Sequence, residues 1–276
     1  MTKRIIGTGK QVYEVKYPFA KLPSGMSFGN VSNVACDSNS RVYAYQRKDP
    51  PILIFDGDGN LLETWGDGLL VDAHGIFVDD RDNLFLIDRD AHEVLKFDPH
   101  GKILLRIGNR DSPSLQTPFN HPADVAVSSE GDILVADGYG NSVVHRFTAE
   151  GKFLDSWGGP GGQPGQFTTP HGIWVDRLDR VYVADRENNC IQIFTLDGEL
   201  INVWQDLFHP MDIFIDQQDN LFVTDQTPRI SVFNLNGELI NRGRSPEAGH
   251  GIYGDPLGNL YLAGAFRGIV KLELIS

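Results

Sequence analysis

Five histidines stand at the openings of short apolar strands, and their neighbours sort them into two sets. His74, His171 and His250 are each followed by glycine, whereas His121 and His209 are each followed by proline. Three imidazoles that meet with a fourth position left open are the ligand set of a catalytic zinc site. A glycine directly after each ligand would let the backbone come close to the ion, with no Cβ in the way. The plainer alternative is that a histidine at a strand opening is a repeat consensus that caps a turn. His121 and His209 are then candidates to line the mouth, touching substrate or backing the ligands.

A second set of residues could handle an anion. Aligning the segments Arg41–Arg47, Asn83–Arg89 and Arg180–Arg186 places Arg47, Arg89 and Arg186 at one repeat position. Guanidinium groups gathered at one rim suit a carboxylate or another oxyanion, because each offers a fixed bidentate fork. The alternative is ion pairing within the repeat, to Asp88, Asp185 or Glu187. In the third repeat the same loop reads Asp137-Gly-Tyr-Gly-Asn141, which puts Tyr139 one place beyond the arginine slot. Gly138 and Gly140 would free the backbone to swing the phenol over the site. A phenol beside a dication and arginines can serve as a base near neutral pH.

The elements that must position these groups recur along the chain. Taken from the marker histidines, and from Ser32 where the marker is missing, repeats start at 32, 74, 121, 171, 209 and 250. Spacings of about 40 to 50 residues are those of propeller blades. Each copy carries an apolar strand, a polar turn, an alternating strand such as Asn83–Asp88, a third strand and an outer strand, four in all. Six such blades predict an all-β, six-bladed β-propeller formed by residues 1–276 as a single domain. The last copy has no room for an outer strand, and Gln11–Tyr17 is the segment expected to supply it and close the ring. The second, fourth and sixth blades would then hold His74, His171 and His250 at 120° intervals. Repetition also reads Asp56–Asn60 as a hairpin turn rather than a calcium loop, and Gly158–Gly165 as an inter-blade loop rather than a phosphate cradle.

Composition limits the partners. The 276 residues carry 24 Lys and Arg against 37 Asp and Glu, a net charge of −13. Such a balance disfavours nucleic acid and anionic membrane surfaces, so the expected partner is a small anionic molecule held by a local cluster. Two cysteines, Cys36 and Cys190, make no disulfide framework, and the first residues lack the apolar run of a secretory signal. A cytoplasmic protein is expected. Oligomeric state leaves no signal in the sequence.

Together these residues resemble the NHL-repeat propellers and, among them, the peptidyl-α-hydroxyglycine α-amidating lyases. The motifs that carry the resemblance are Val135–Ser142, Gly162–His171 and Val183–Asn188. It implies zinc on His74, His171 and His250, the same three that the His-Gly pattern selects. It further implies a catalytic tyrosine at Tyr139 and catalytic arginines at Arg47 and Arg186, with Arg89, His121 and His209 left as substrate contacts. The implied reaction cleaves a carbinolamide, N–CH(OH)–COO⁻, into an amide and a glyoxylate-type product. A structural calcium in such lyases rests on backbone oxygens at positions matching Val34 and Ile76 and on an aspartate after the third histidine. Gly251 stands at that last position, Ala248 replaces a pocket methionine, and Asn120 and Gly140 stand where paired cysteines would be. Two other classes compete: a metal-dependent hydrolase such as a lactonase, and a non-catalytic NHL interaction scaffold.

Overall fold

A computed structural model describes residues 3–114, 118–264 and 268–275. Among them there is no helix, and so none long and apolar enough to cross a membrane. The strands form six antiparallel sheets, five of four strands and one of five, the architecture of a six-bladed β-propeller. Packing divides the chain into two compact units, residues 70–213 and residues 1–69 with 214–276.

In the 70–213 unit, three sheets follow one another in chain order. Their second strands, Leu84–Asp88, Ile133–Asp137 and Val181–Asp185, are buried along their whole length, which is why they read as unbroken apolar runs ending in aspartate. Side chains from successive sheets interlock: Phe85, Ile87 and Val94 pack with Phe119, Val125 and Val135. The next layer joins Leu134, Ala136 and Val144 to Phe167, Ile173 and Val183. The outer strands are largely exposed, and where each pairs with its neighbour the register slips by one residue, at Ile103/Leu105, Arg146/Phe147 and Ile193/Phe194. Bulges of this kind twist an exposed edge and make it a poor template for further strands.

The second unit holds the sheet from Val31–Cys36 to Leu61–Trp65 and a sheet made from both chain ends. Strand Gln11–Lys16 pairs antiparallel with Gly268–Leu274, setting Tyr13 opposite Leu274 and Val15 opposite Leu272. The expected fourth strand is therefore present. A further strand, Ile5–Thr8, pairs outside it, in a segment whose Gly-Thr-Gly ending masked it in the sequence. Phe19 packs edge-on against Tyr261 and Phe55, tying this sheet to its neighbour. The turn at Asp56 is a hairpin closed by its own carboxylate, which accepts the N–H groups of Asp58 and Asn60.

Removing residues 1–17 strips strand Gly268–Leu274 of its outer partner and leaves Leu260–Gly264 on its other side. The truncated chain is expected to melt on the order of 10 °C lower and to self-associate as concentration rises. Calorimetry and light scattering on the two forms check this, and an unchanged melting temperature would contradict it.

Candidate metal centre and its tyrosine

Strand register shows which repeat positions are equivalent, and it separates the five histidines. Gly172 pairs with Ala184, Asp124 pairs with Ala136 and Gly251 pairs with Ala263. The residues just before them, His171, Ala123 and His250, therefore share one position, as does His74 ahead of Gly75. His121 lies two residues upstream of Ala123, and His209 two upstream of Met211. Both have left-handed backbones, with φ of 61° and 47°. The five imidazoles expected at one repeat position are thus three at one and two at another, because His121 and His209 lie on the segments that lead into the strands Asp124–Val127 and Pro210–Ile215.

A local irregularity aims the shared position. Pairing of Pro170 with Asp185 and of Gly172 with Ala184 leaves His171 as an extra, bulged residue. An extra residue likewise falls between Ala73 and Ile76, where His74 sits. His250 donates its N–H to the carbonyl of Ala263, the residue already opposite Gly251. Bulges are a regular means of re-aiming a side chain out of a ladder. The glycines serve this packing rather than an approach to an ion. A Cβ on Gly75 would collide with the Ala123 carbonyl and Asp124, one on Gly172 with the Met211 carbonyl, and one on Gly251 with Asn33.

That close approach gives each imidazole the same anchor. His74 Nδ1 lies 2.6 Å from the Ala123 carbonyl oxygen and His171 Nδ1 lies 2.8 Å from that of Met211. In the other unit, His250 Nδ1 lies 2.7 Å from the carbonyl oxygen of Ser32. A carbonyl only accepts, so all three Nδ1 atoms carry a proton, and in the neutral ring each Nε2 then keeps a lone pair. Anchoring Nδ1 on a carbonyl is how metal-binding histidines are commonly oriented.

In the 70–213 unit the two Nε2 lone pairs converge on one phenol. Tyr139 Oη is 2.9 Å from His74 Nε2 and 3.0 Å from His171 Nε2. The hydroxyl has one proton and can donate to only one of them, so two lone pairs face each other across the second contact. A cation resolves that conflict, and neutral imidazole nitrogens with a phenolic oxygen suit a divalent transition metal. The residues present thus fit a metal ion. Both histidines are almost wholly buried while Tyr139 is 37% exposed, so a ligand could reach the phenol from solvent.

The loop bearing Tyr139 is held, not free to swing. A Cβ on Gly138 would strike the Pro170 carbonyl, and one on Gly140 would strike Asn120. The Tyr139 N–H reaches the His121 carbonyl at 3.4 Å, and the His121 N–H donates to His92 Nδ1 at 3.1 Å. His121 Nδ1 lies 2.8 Å from Asn120 Oδ1. Asp137 ties the same loop by accepting from the Asn120 N–H and the Asn141 amide. Asp88 does this for the segment leading to His74, through the Val71 and Asp72 N–H groups, and Asp185 for the segment leading to His171, through the Thr168 N–H. These aspartates staple backbone and do not pair with Arg89 or Arg186. Burial lifts Asp185 to about 6, even though Asn188, the Thr168 N–H and Gln192 all donate to it.

Two of the arginines flank the phenol. The Arg186 guanidinium lies 5.4 Å from the Tyr139 ring centre, with Nη1 3.4 Å from the hydroxyl. Its Nε is bound to Glu187 at 2.8 Å, and the other oxygen of Glu187 lies 3.1 Å from His209 Nδ1. Arg89 lies 5.1 Å from the same ring centre, with its Nε between Asp72 at 2.8 Å and Asp90 at 2.9 Å. Arg47, in the other unit, donates its N–H to the Asn30 carbonyl. Glu187, named in the sequence as an alternative partner, is paired with Arg186; His92 and the stapling role of the aspartates were missed, and only the recurrent Asp ending each second strand could have signalled the latter.

Known proteins place this geometry in context. The NHL repeat model matches residues 119–147 and 167–194. The rat peptidylglycine alpha-amidating monooxygenase is 36% identical over 203 residues, 61% of this chain and 21% of that protein. Peptidyl-alpha-hydroxyglycine alpha-amidating lyase 1 of Drosophila melanogaster is 30% identical over 210 residues, covering 71% of this chain and 38% of that one. Human NHL repeat-containing protein 3 is 33% identical over 218 residues, covering 73% and 62%. The chain thus spans from about a fifth to three fifths of these relatives. In fold it is similar to a streptogramin B lyase, at a TM-score of 0.70 and 15% identity, covering 91% of this chain and 95% of that one. It is equally similar to the gluconolactonase XC5397 of Xanthomonas campestris, at a TM-score of 0.70 and 17% identity, covering 90% and 87%.

Beneath the histidines, burial and the nearby Asp212 hold the Asp124 carboxyl well above the usual carboxylate range. Its folded form retains a proton that the unfolded chain has lost, so its contribution to stability falls as pH rises from about 4, the unfolded value, toward the folded one. Asn33 already stands at the equivalent position in the first blade and caps its own strand. Asp124→Asn is expected to leave melting nearly unchanged at pH 4 and to raise it by a few °C at pH 8. Melting curves at the two pH values test this; a loss of stability at pH 8 would contradict it.

Proposed function

We propose that the protein is a zinc-dependent lyase that cleaves an α-hydroxylated, carboxylate-bearing amide, or a close small-molecule analogue, into an amide and a glyoxylate-type product. The observation that carries this reading is the Tyr139 hydroxyl within hydrogen-bonding distance of the Nε2 atoms of His74 and His171, both anchored through Nδ1. The lyases among its relatives support the reaction class. In this reading His250, anchored through Nδ1 like the other two, completes the ligand set with His74 and His171. A bound zinc would supply a Lewis acid that acidifies the substrate hydroxyl.

The chain's own residues do the rest. Arg186, with Arg47, holds the substrate carboxylate; among the described residues Glu187 is the acid paired with Arg186, at Nε, while Nη1 lies toward the Tyr139 hydroxyl. With a metal bound, Tyr139 would stand as the phenolate, its own proton released to solvent, and would take the proton of the hydroxyl that the substrate presents. The C–O bond becomes the carbonyl, the C–N bond breaks with its electron pair going to nitrogen, and Tyr139 returns the proton to the departing amide. His121 and His209 stand on the loops at the mouth, where they would meet the amide portion. The net charge of −13 suits a small substrate drawn in by a local cluster.

Purified protein is expected to retain about one transition-metal ion per chain through dialysis and to lose it on His250→Ala. It is expected to release glyoxylate from an α-hydroxyglycine derivative. Tyr139→Phe should lower turnover on the order of a hundredfold or more with metal content unchanged. Elemental analysis and a glyoxylate assay measure both. Metal-free protein, or turnover confined to a panel of lactones, would overturn the assignment.

A further inference from the structure

Arg89 sits at the same repeat position as Arg186 and against the same ring, yet its surroundings differ. Its Nε faces two carboxylates, Asp72 at 2.8 Å and Asp90 at 2.9 Å, whereas the Arg186 Nε faces Glu187 alone. One cation between two anions has no charge left over for a substrate carboxylate, and its Nε–H is already engaged. The Arg89 N–H is also committed, to the Asp72 carbonyl at 2.9 Å. Asp72 in turn donates its own N–H to Asp88 and lies two residues before His74. Arg89 therefore grips the segment that carries His74 through both main chain and side chain. Its guanidinium meanwhile lies 5.1 Å from the Tyr139 ring centre, within the range of a cation–π contact.

We infer that Arg89 is a positioning residue, not a substrate ligand: it locks the Tyr139 ring to the His74 segment, fixing the hydroxyl against the two imidazoles. This deepens the reading of Tyr139 as the base and rests on it. The two arginines divide the work. Arg186 reaches the Tyr139 hydroxyl and the substrate side, while Arg89 holds the opposite end of the lever. More than a third of Tyr139 is exposed, and Arg89 braces its ring.

The division predicts distinct kinetic signatures. On an α-hydroxyglycine derivative, Arg89→Met is expected to lower kcat about tenfold or more, with KM within about twofold and metal content unchanged. Arg89→Lys, which keeps a cation over the ring and reach to one aspartate, should recover most of the loss. Arg186→Met should instead raise KM. A raised KM with normal kcat in Arg89→Met would make it a substrate ligand, and no change in either constant would remove it from the site; both outcomes overturn the inference. A crystal structure of Arg89→Met gives a readout free of activity. The Tyr139 hydroxyl is expected to leave hydrogen-bonding distance of at least one imidazole, and an unmoved ring would overturn the inference even if wild-type turnover is normal. Absence of turnover in the wild type would sink the proposed reaction and leave this structural readout standing.

Discussion

Three hydrogen bonds from imidazole to main chain set the geometry of the candidate site. Each marker histidine spends its Nδ1 proton on a carbonyl, at Ala123, Met211 or Ser32. In the neutral ring that choice leaves Nε2 as the acceptor, and the carbonyl that makes it is held by the backbone. Two of these acceptors then meet an oxygen that holds a single proton. Burying such a surplus of lone pairs is costly unless a cation joins them.

The strand ladder supplies the placement. A bulge lifts His171 out of the pairing, and glycine at the next position admits the neighbouring strand close enough for its carbonyl to be reached. Stapling aspartates at the ends of the second strands then hold the incoming segments by their N–H groups. Sheets thus carry the marker histidines, and a loop pinned on both sides carries the phenol. Constellations held on such elements keep their geometry better than those on free loops.

Much of this was legible in the chain because repetition makes it so. Apolar runs ending in aspartate, spaced by some 40 to 50 residues, require stacked four-stranded units, and the missing last strand pointed to Gln11–Tyr17. The His-Gly pairs stood apart from the His-Pro pairs because glycine marks a close backbone approach. What the approach was to could not be read, since a neighbouring carbonyl leaves no trace in residue type. The same blindness set His121 and His209 level with the other three: a bulge and a left-handed residue shift the register by two without altering the pattern. It also made Gly138 and Gly140 look permissive, when Pro170 and Asn120 crowd them. Arg89 and Arg186 looked alike because the acid that distinguishes them, Asp72, lies in another segment of the repeat.

The central claim is that imidazole Nε2 atoms, fixed by their Nδ1 anchors, hold a metal ion beside Tyr139. X-ray absorption at the zinc edge of the purified protein tests it most directly. The account predicts a first shell dominated by three imidazole nitrogens, reduced to two when His74 is replaced by alanine and zinc is restored. A shell without imidazole, or one that His74→Ala leaves unaltered, would contradict it.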